Sequence, residues 1–268
     1  SRVVEREGTG IFTGIKCRVV MKPAPSGSGI VFKVPGGKVP CRLENVETGA
    51  RYSALRSEGA RVMMVEHLLS AVSAFGITDL EIECTAQELP FFDGSSVEWV
   101  EALAEAGFST LNGPVEAFTP CEPLVVADGD RSVIIVPHSA PVFGYFLDYA
   151  GVGRQWAYFQ MSPEVYRAEI APARSFISKA EYEEARAAGF FPRATGEAGI
   201  LFEEGKPHTP LRFANEPARH KVLDMIGDFA LAGLPVCALI IGTRSGHRLH
   251  HLALRQLMAQ SPANPPGY

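Results

Sequence analysis

The ten residues Arg219-His220-Lys221-Val222-Leu223-Asp224-Met225-Ile226-Gly227-Asp228 constrain this chain more than any other stretch. His220, Asp224 and Asp228 fall at i, i+4 and i+8, so at 3.6 residues per turn they stack along one stripe of a helix. Val222, Leu223, Met225, Ile226, Phe229 and Leu231 give that helix an apolar face, which leaves the polar stripe at the edge of a buried surface. Ionisable groups there are costly unless paired or bound to a metal. A His and an Asp one turn apart can offer zinc an imidazole nitrogen and a carboxylate oxygen, at about 2.0–2.2 Å. The same residues also suit an amphipathic helix with a surface His–Asp pair, so a metal reading needs a third ligand from elsewhere.

Residues 1–50 read as antiparallel strands and turns, with a glycine-punctuated turn over 8–14 and a Pro/Ser/Gly loop over 23–29. Val62, Val65, Leu68, Leu69, Val72 and Phe75 then recur at helical spacing, predicting a helix over 62–76 closed by Gly76. A buried strand over 80–84 follows, then a turn-rich loop whose Asp93-Gly94-Ser95 end can cap a helix over 97–106. Beyond Asn112-Gly113-Pro114, read as a linker, strands are predicted over 124–127 and 132–136, joined by an Asp128-Gly129-Asp130 hairpin turn, and over 142–147. A charged helix over 179–188 and a poorly periodic stretch over 189–215 lead to the opening helix, closed by Gly233. A strand over 236–241, the turn Ser245-Gly246-His247 and a helix from about residue 251 to 258 complete the chain. Each half thus runs strands, a helix with an early His, Gly, an apolar strand, a polar turn and another helix. This echo predicts an α+β protein of two similar domains, 1–113 and 114–268, each a sheet packed on helices.

If the two His-bearing helices face each other, His67 joins His220 and Asp224. Three protein ligands with an open fourth position describe a catalytic zinc site. Glu66, next to His67, is placed to take a proton from an activated water; taken alone, Glu66-His67 also suits a solvent-facing pair at the start of an amphipathic helix. His247 follows a glycine in a turn after an apolar strand. With Asp228 nearby it can be held protonated, and a cationic His can stabilise an oxyanion and protonate a leaving amine. His250 and His251 compete for that role without the glycine turn. His138 and His208, beside prolines, read as loop decoration.

Composition narrows the function classes. Net charge is −5 with no run of Lys or Arg, which argues against nucleic acid as a partner. The five cysteines are scattered without a Cys-x-x-Cys pair, as in a reducing compartment. No apolar run reaches the roughly 18–20 residues of a membrane span, and a cytoplasmic monomer is expected.

Val65-Glu66-His67-Leu68-Leu69-Ser70-Ala71, Glu88-Leu89-Pro90-Phe91-Phe92-Asp93-Gly94-Ser95, Ala173-Arg174-Ser175-Phe176, the 219–228 stretch and Ser245-Gly246-His247 together resemble, in order and from about Gly8 to Met258, the signatures of the UDP-3-O-acyl-N-acetylglucosamine deacetylase family. The resemblance implies a zinc hydrolase of lipid A synthesis that removes acetate from a UDP-linked acylated amino sugar. It implies zinc at the domain interface on His67, His220 and Asp224, Glu66 as general base, His247 as general acid and Asp228 as the carboxylate orienting it. It further implies a substrate contact for Lys221, an oxyanion contact for Ser175, where the family usually has Thr, and a place near the acyl passage for Phe176. Iron(II) can replace zinc on such a ligand set. Three stretches depart from the family. Residues 9–14 are shorter than its N-terminal glycine motif and lack its His, 189–202 do not reproduce its glycine-rich pattern, and 51–61 diverge. A deacetylase of the same fold acting on another N-acetyl sugar, and a non-catalytic nucleotide-sugar-binding homologue, are the alternatives.

Overall fold

The computed structural model describes residues 2–48, 51–111, 113, 115–192 and 198–260. In the first half, β1 (Val4–Thr9), β2 (Lys16–Pro23), β3 (Ile30–Val34) and β4 (Gly37–Pro40) precede a small three-stranded sheet of β5 (Val46–Thr48), β6 (Ser53–Ser57) and β7 (Ala60–Met63). Helix α1 (Glu66–Ala74), β8 (Leu80–Cys84) and α2 (Val97–Ala106) follow. The second half holds β9 (Leu124–Asp128), β10 (Arg131–Pro137), β11 (Val142–Tyr149) and β12 (Gly153–Gln160), then the short α3 (Pro163–Val165) running into a π-helical turn at Tyr166–Ile170. An inserted unit of β13 (Phe176–Ser178), α4 (Lys179–Ala187), β14 (Ile200–Glu203) and β15 (Lys206–Pro207) leads to α5 (Glu216–Phe229), β16 (Ala238–Thr243) and α6 (His247–Met258).

The two large sheets share one topology. Their strand orders are β1-β2-β8-β3-β4 and β9-β10-β16-β11-β12. In each, the strand after the His-bearing helix enters the centre, antiparallel to the second strand and parallel to the third. Alternation explains the faces: β2 buries Cys17, Val19 and Met21 and β10 buries Val133 and Ile135, their intervening residues facing outward. Each half also carries its insertion at the same place, between the fourth strand and the His-bearing helix.

Helices α1 and α5 pack against each other in the interior, where Leu68, Leu69 and Val72 join Val222, Leu223 and Ile226 in a single apolar cluster fed by both sheets. Gly227 makes this possible. A Cβ there would sit 2.1 Å from the Glu66 carbonyl oxygen, so any side chain would force the two backbones apart. Among the described residues no helix is long and apolar enough to cross a membrane.

Several expected boundaries move. Val62 lies in β7, and the helix begins only at Glu66, because Met64 adopts a left-handed backbone (φ 62°) that ends the strand. An apolar residue in phase with a following helix fits a strand equally well, so periodicity could not separate the two. Helix α6 begins at His247, a full turn earlier than expected. Strand β12 was not expected, since as an edge strand it buries only Ala157. The stretch 189–215 contains β14 and β15, and the strand expected over 236–241 runs from Ala238 to Thr243, Val236 making an isolated bridge to Phe118. Of the expected linker, Asn112 and Pro114 lie outside the described residues, as does 193–197 of the divergent stretch.

Candidate metal centre

Every residue of α5 but Arg219 and Lys221 is buried, so the polar stripe lies inside the protein rather than at its edge. Glu66 and His67, in the first turn of α1, are equally buried. Neither the surface pair on α5 nor the solvent-facing pair on α1 is what the fold contains. His67 Nε2 and His220 Nε2 lie 3.6 and 3.3 Å from Asp224 Oδ1, and the ligand atoms of all three residues fall within 4.8 Å of one another. Tetrahedral zinc with bonds of about 2.0–2.1 Å sets its ligand atoms roughly 3.3 Å apart, so the spacing fits the ion.

The surroundings of these groups suit them to the same use. His220 Nδ1 donates to the Ala173 carbonyl at 3.0 Å, which fixes the tautomer and leaves the Nε2 lone pair facing the triad. Burial holds the His220 pKa down to about 4, keeping the imidazole neutral as a ligand must be. Burial works against the charge of Asp224, but the Lys221 ammonium, 2.8 Å from Oδ2, and His220 hold it well below the usual carboxylate range. Oδ1 remains free to face an ion. The His67 carbonyl accepts from Ser96 at 2.7 Å and Ser70 at 2.9 Å, tying the start of α2 to α1.

Beside the triad, Glu66 is buried and its carboxyl pKa is raised by that burial. Its Oε1 is 3.9 Å from His247 Nε2. His247 Nδ1 donates to Asp228 at 2.8 Å, and although burial opposes its charge, Asp228 pushes its pKa up to about 9. Asp228 is wholly buried and also accepts from His250 Nδ1 at 2.6 Å, from His251 Nε2 at 3.3 Å and from the Ser53 hydroxyl. His250 and His251 therefore brace Asp228, and of the three α6 histidines His247 is the one that lines the open cavity.

That cavity, about 740 Å³, is also lined by Glu66, His67, Ser175, Phe176, His220, Lys221 and Asp224, with Asp228 behind His247. Ser175 is set by its neighbours: its N–H donates to the Gly94 carbonyl, and Arg174 is clamped by the buried Glu216 at 2.8 and 3.1 Å. The Lys221 ammonium lies 5.7 Å from the Phe176 ring centre. The divergent 9–14 loop is pinned by buried Glu88, which accepts from Phe12 N and Thr13 N at 2.8 and 2.7 Å, and it brings Ile11 and Phe12 to the cavity wall. Phe12 packs there against Phe191, ring centres 5.3 Å apart. Ser53 carried no signal in the sequence: a lone Ser in a short strand has no motif around it. His250 and His251 were visible only as competitors of His247.

A duplicated α+β fold that closes two helices around a His–His–Asp triad, with a carboxyl and an imidazolium facing the same cavity, has the ligand set and the proton-handling groups that a zinc-dependent hydrolase uses. Sequence comparison narrows that class. The family described as LpxC, UDP-3-O-acyl N-acetylglycosamine deacetylase, matches residues 1–259. The chain is 33% identical to the UDP-3-O-acyl-N-acetylglucosamine deacetylase of Wolinella succinogenes, covering 97% of this chain and 89% of that protein. It is 33% identical to that of Thermosynechococcus vestitus, covering 94% and 90%, and 31% identical to that of Nostoc sp., covering 97% and 98%. The chain belongs to this family, whose members are zinc amidohydrolases of lipid A biosynthesis.

Proposed function

We propose that this protein hydrolyses the N-acetyl group of UDP-3-O-acyl-N-acetylglucosamine, releasing acetate and the free amine. The observation that carries the reading is the pair of proton-handling groups, Glu66 and His247, set beside a triad spaced for zinc in one cavity. His67, His220 and Asp224 would hold the ion, which would supply polarisation of the amide carbonyl and acidification of a water. Glu66 takes the proton of that water. The oxyanion developing at the former carbonyl oxygen faces the Ser175 hydroxyl and the His247 imidazolium. His247, oriented by Asp228, then gives its Nε2 proton to the amine nitrogen as the C–N bond breaks. Lys221 and Phe176 contact the sugar and the start of the acyl chain.

The test measures zinc content and acetate release from the acylated UDP-sugar, for the wild type and Glu66→Gln. About one zinc per chain in both, with turnover reduced by roughly 10²–10⁴ in the variant, is expected for a lost general base. Full activity in Glu66→Gln removes that residue from the mechanism. The aromatic contact of Phe12 with Phe191 at the cavity wall favours one further comparison: faster turnover of the unacylated UDP-sugar would identify a deacetylase of the same fold with a different N-acetyl substrate.

A further inference from the structure

Ser53 touches both halves of the proton-handling machinery without reaching the cavity. It is fully buried at the start of β6, in the three-stranded insertion of the first half, and does not line the cavity. Its backbone N–H donates to Glu66 Oε2 at 3.1 Å, and its carbonyl accepts from Val65 N at 3.3 Å, just ahead of α1. Its hydroxyl donates to Asp228 Oδ1 on α5 and accepts from His251 Nε2 on α6 at 2.9 Å. One residue therefore uses its backbone N–H, its carbonyl and its hydroxyl to fasten three helices.

Asp228 Oδ2 is taken by His247 at 2.8 Å and His250 at 2.6 Å, while Oδ1 receives the Ser53 hydroxyl as its short contact, with His247 and His251 farther off at 3.1 and 3.3 Å. A carboxylate held on both oxygens cannot turn about its last bond, and the plane in which it grips His247 is thereby set. The Ser53 N–H performs the matching task for Glu66: it occupies Oε2, while Oε1 is the oxygen facing His247.

We propose that Ser53 is a positioning residue that fixes the general base and the Asp228–His247 acid pair relative to each other. This rests on the deacetylase reading above for the roles of Glu66 and His247. The backbone half of the device survives any substitution other than proline, so a side-chain variant isolates the hydroxyl. Ser53→Ala is expected to lower kcat per bound zinc about tenfold with KM within twofold, because the residue meets no substrate. Ser53→Thr, which keeps the hydroxyl, restores most of the loss.

A second measurement needs neither substrate nor metal. In the metal-free protein, the His247 Nδ1–H proton resonance reports the bond to Asp228, and Ser53→Ala is expected to broaden it or move it upfield while leaving the amide spectrum of the sheets in place. Unchanged kcat and an unchanged His247 resonance in Ser53→Ala overturn the proposal. So does a loss confined to zinc content or melting temperature, which marks a purely structural role. A wild type that releases no acetate while the resonance responds to Ser53→Ala refutes the deacetylase reading and leaves the bracing of Asp228 intact.

Discussion

His247 and His220 lie in the same buried centre and are driven in opposite directions. His220 has lost water and gained no carboxylate hydrogen bond, so burial keeps it neutral with a pKa of about 4; His247 is gripped by Asp228 and keeps its proton to about pH 9. These opposite shifts suit His220 to the ligand role and His247 to the acid role proposed above. Because the acid must be protonated, activity is expected to fall as pH rises through about 9, and His247→Gln should remove that limb along with most of the rate; a pH profile of kcat checks both. The same ionisation bears on the fold. A His whose pKa is raised above its unfolded value contributes stability fully below that value, about 6.5, and loses it as pH rises through about 9. Buried as it is, His247 can supply about 3 kcal/mol at most by this route. Glu66 and His67 were recognisable as a metal-site pair only on the condition that α1 met α5. Ser175 was recognisable only by resemblance, since nothing in Ala173-Arg174-Ser175-Phe176 itself announces a hydroxyl facing a cavity.

Between α1 and α5 the decisive residue is the one without a side chain. Gly227 lets the Glu66 backbone approach, so the helix carrying His67 lies close enough for His67 to share Asp224 with His220. Gly227→Ala improves helix propensity by up to about 1 kcal/mol, yet the overpacking it forces is expected to cost about 3 kcal/mol. Urea unfolding should show the net loss, and zinc titration a weakened affinity; a variant more stable than the wild type would mean the helices tolerate separation. Helix content was legible where periodicity ran long, as in α5, whose apolar and polar stripes repeat over four turns. It failed at the ends. Among the described contacts no side chain caps α1 or α6, and Met64 and Arg244 turn the chain ahead of them with left-handed backbones that their residue types do not advertise.

At the scale of the molecule, the repeated sheet order brings equivalent helices together around a single centre. We propose that the division between the two domains falls as 1–113 and 114–268. The apolar cluster already runs through both halves, so a bound metal would be an added tie rather than the condition of folding. A ligand present at about 100 times its dissociation constant adds about 2.7 kcal/mol; chelation is expected to lower the melting temperature by roughly 5–10 °C while leaving the cooperative transition and the far-ultraviolet spectrum in place. Unfolding on chelation would mean that the halves do not hold each other without the ion. What the sequence alone determined was local: the stripe of His220, Asp224 and Asp228, the alternation of the strands and the echo between halves, all written in spacings of a few residues. The tertiary structure decided that Ser53 meets Asp228 across 175 positions of chain, that His250 and His251 brace a carboxylate, and that the stripe is buried. Such meetings depend on how closely two backbones can pack, and that is set by the shapes of both partners at once.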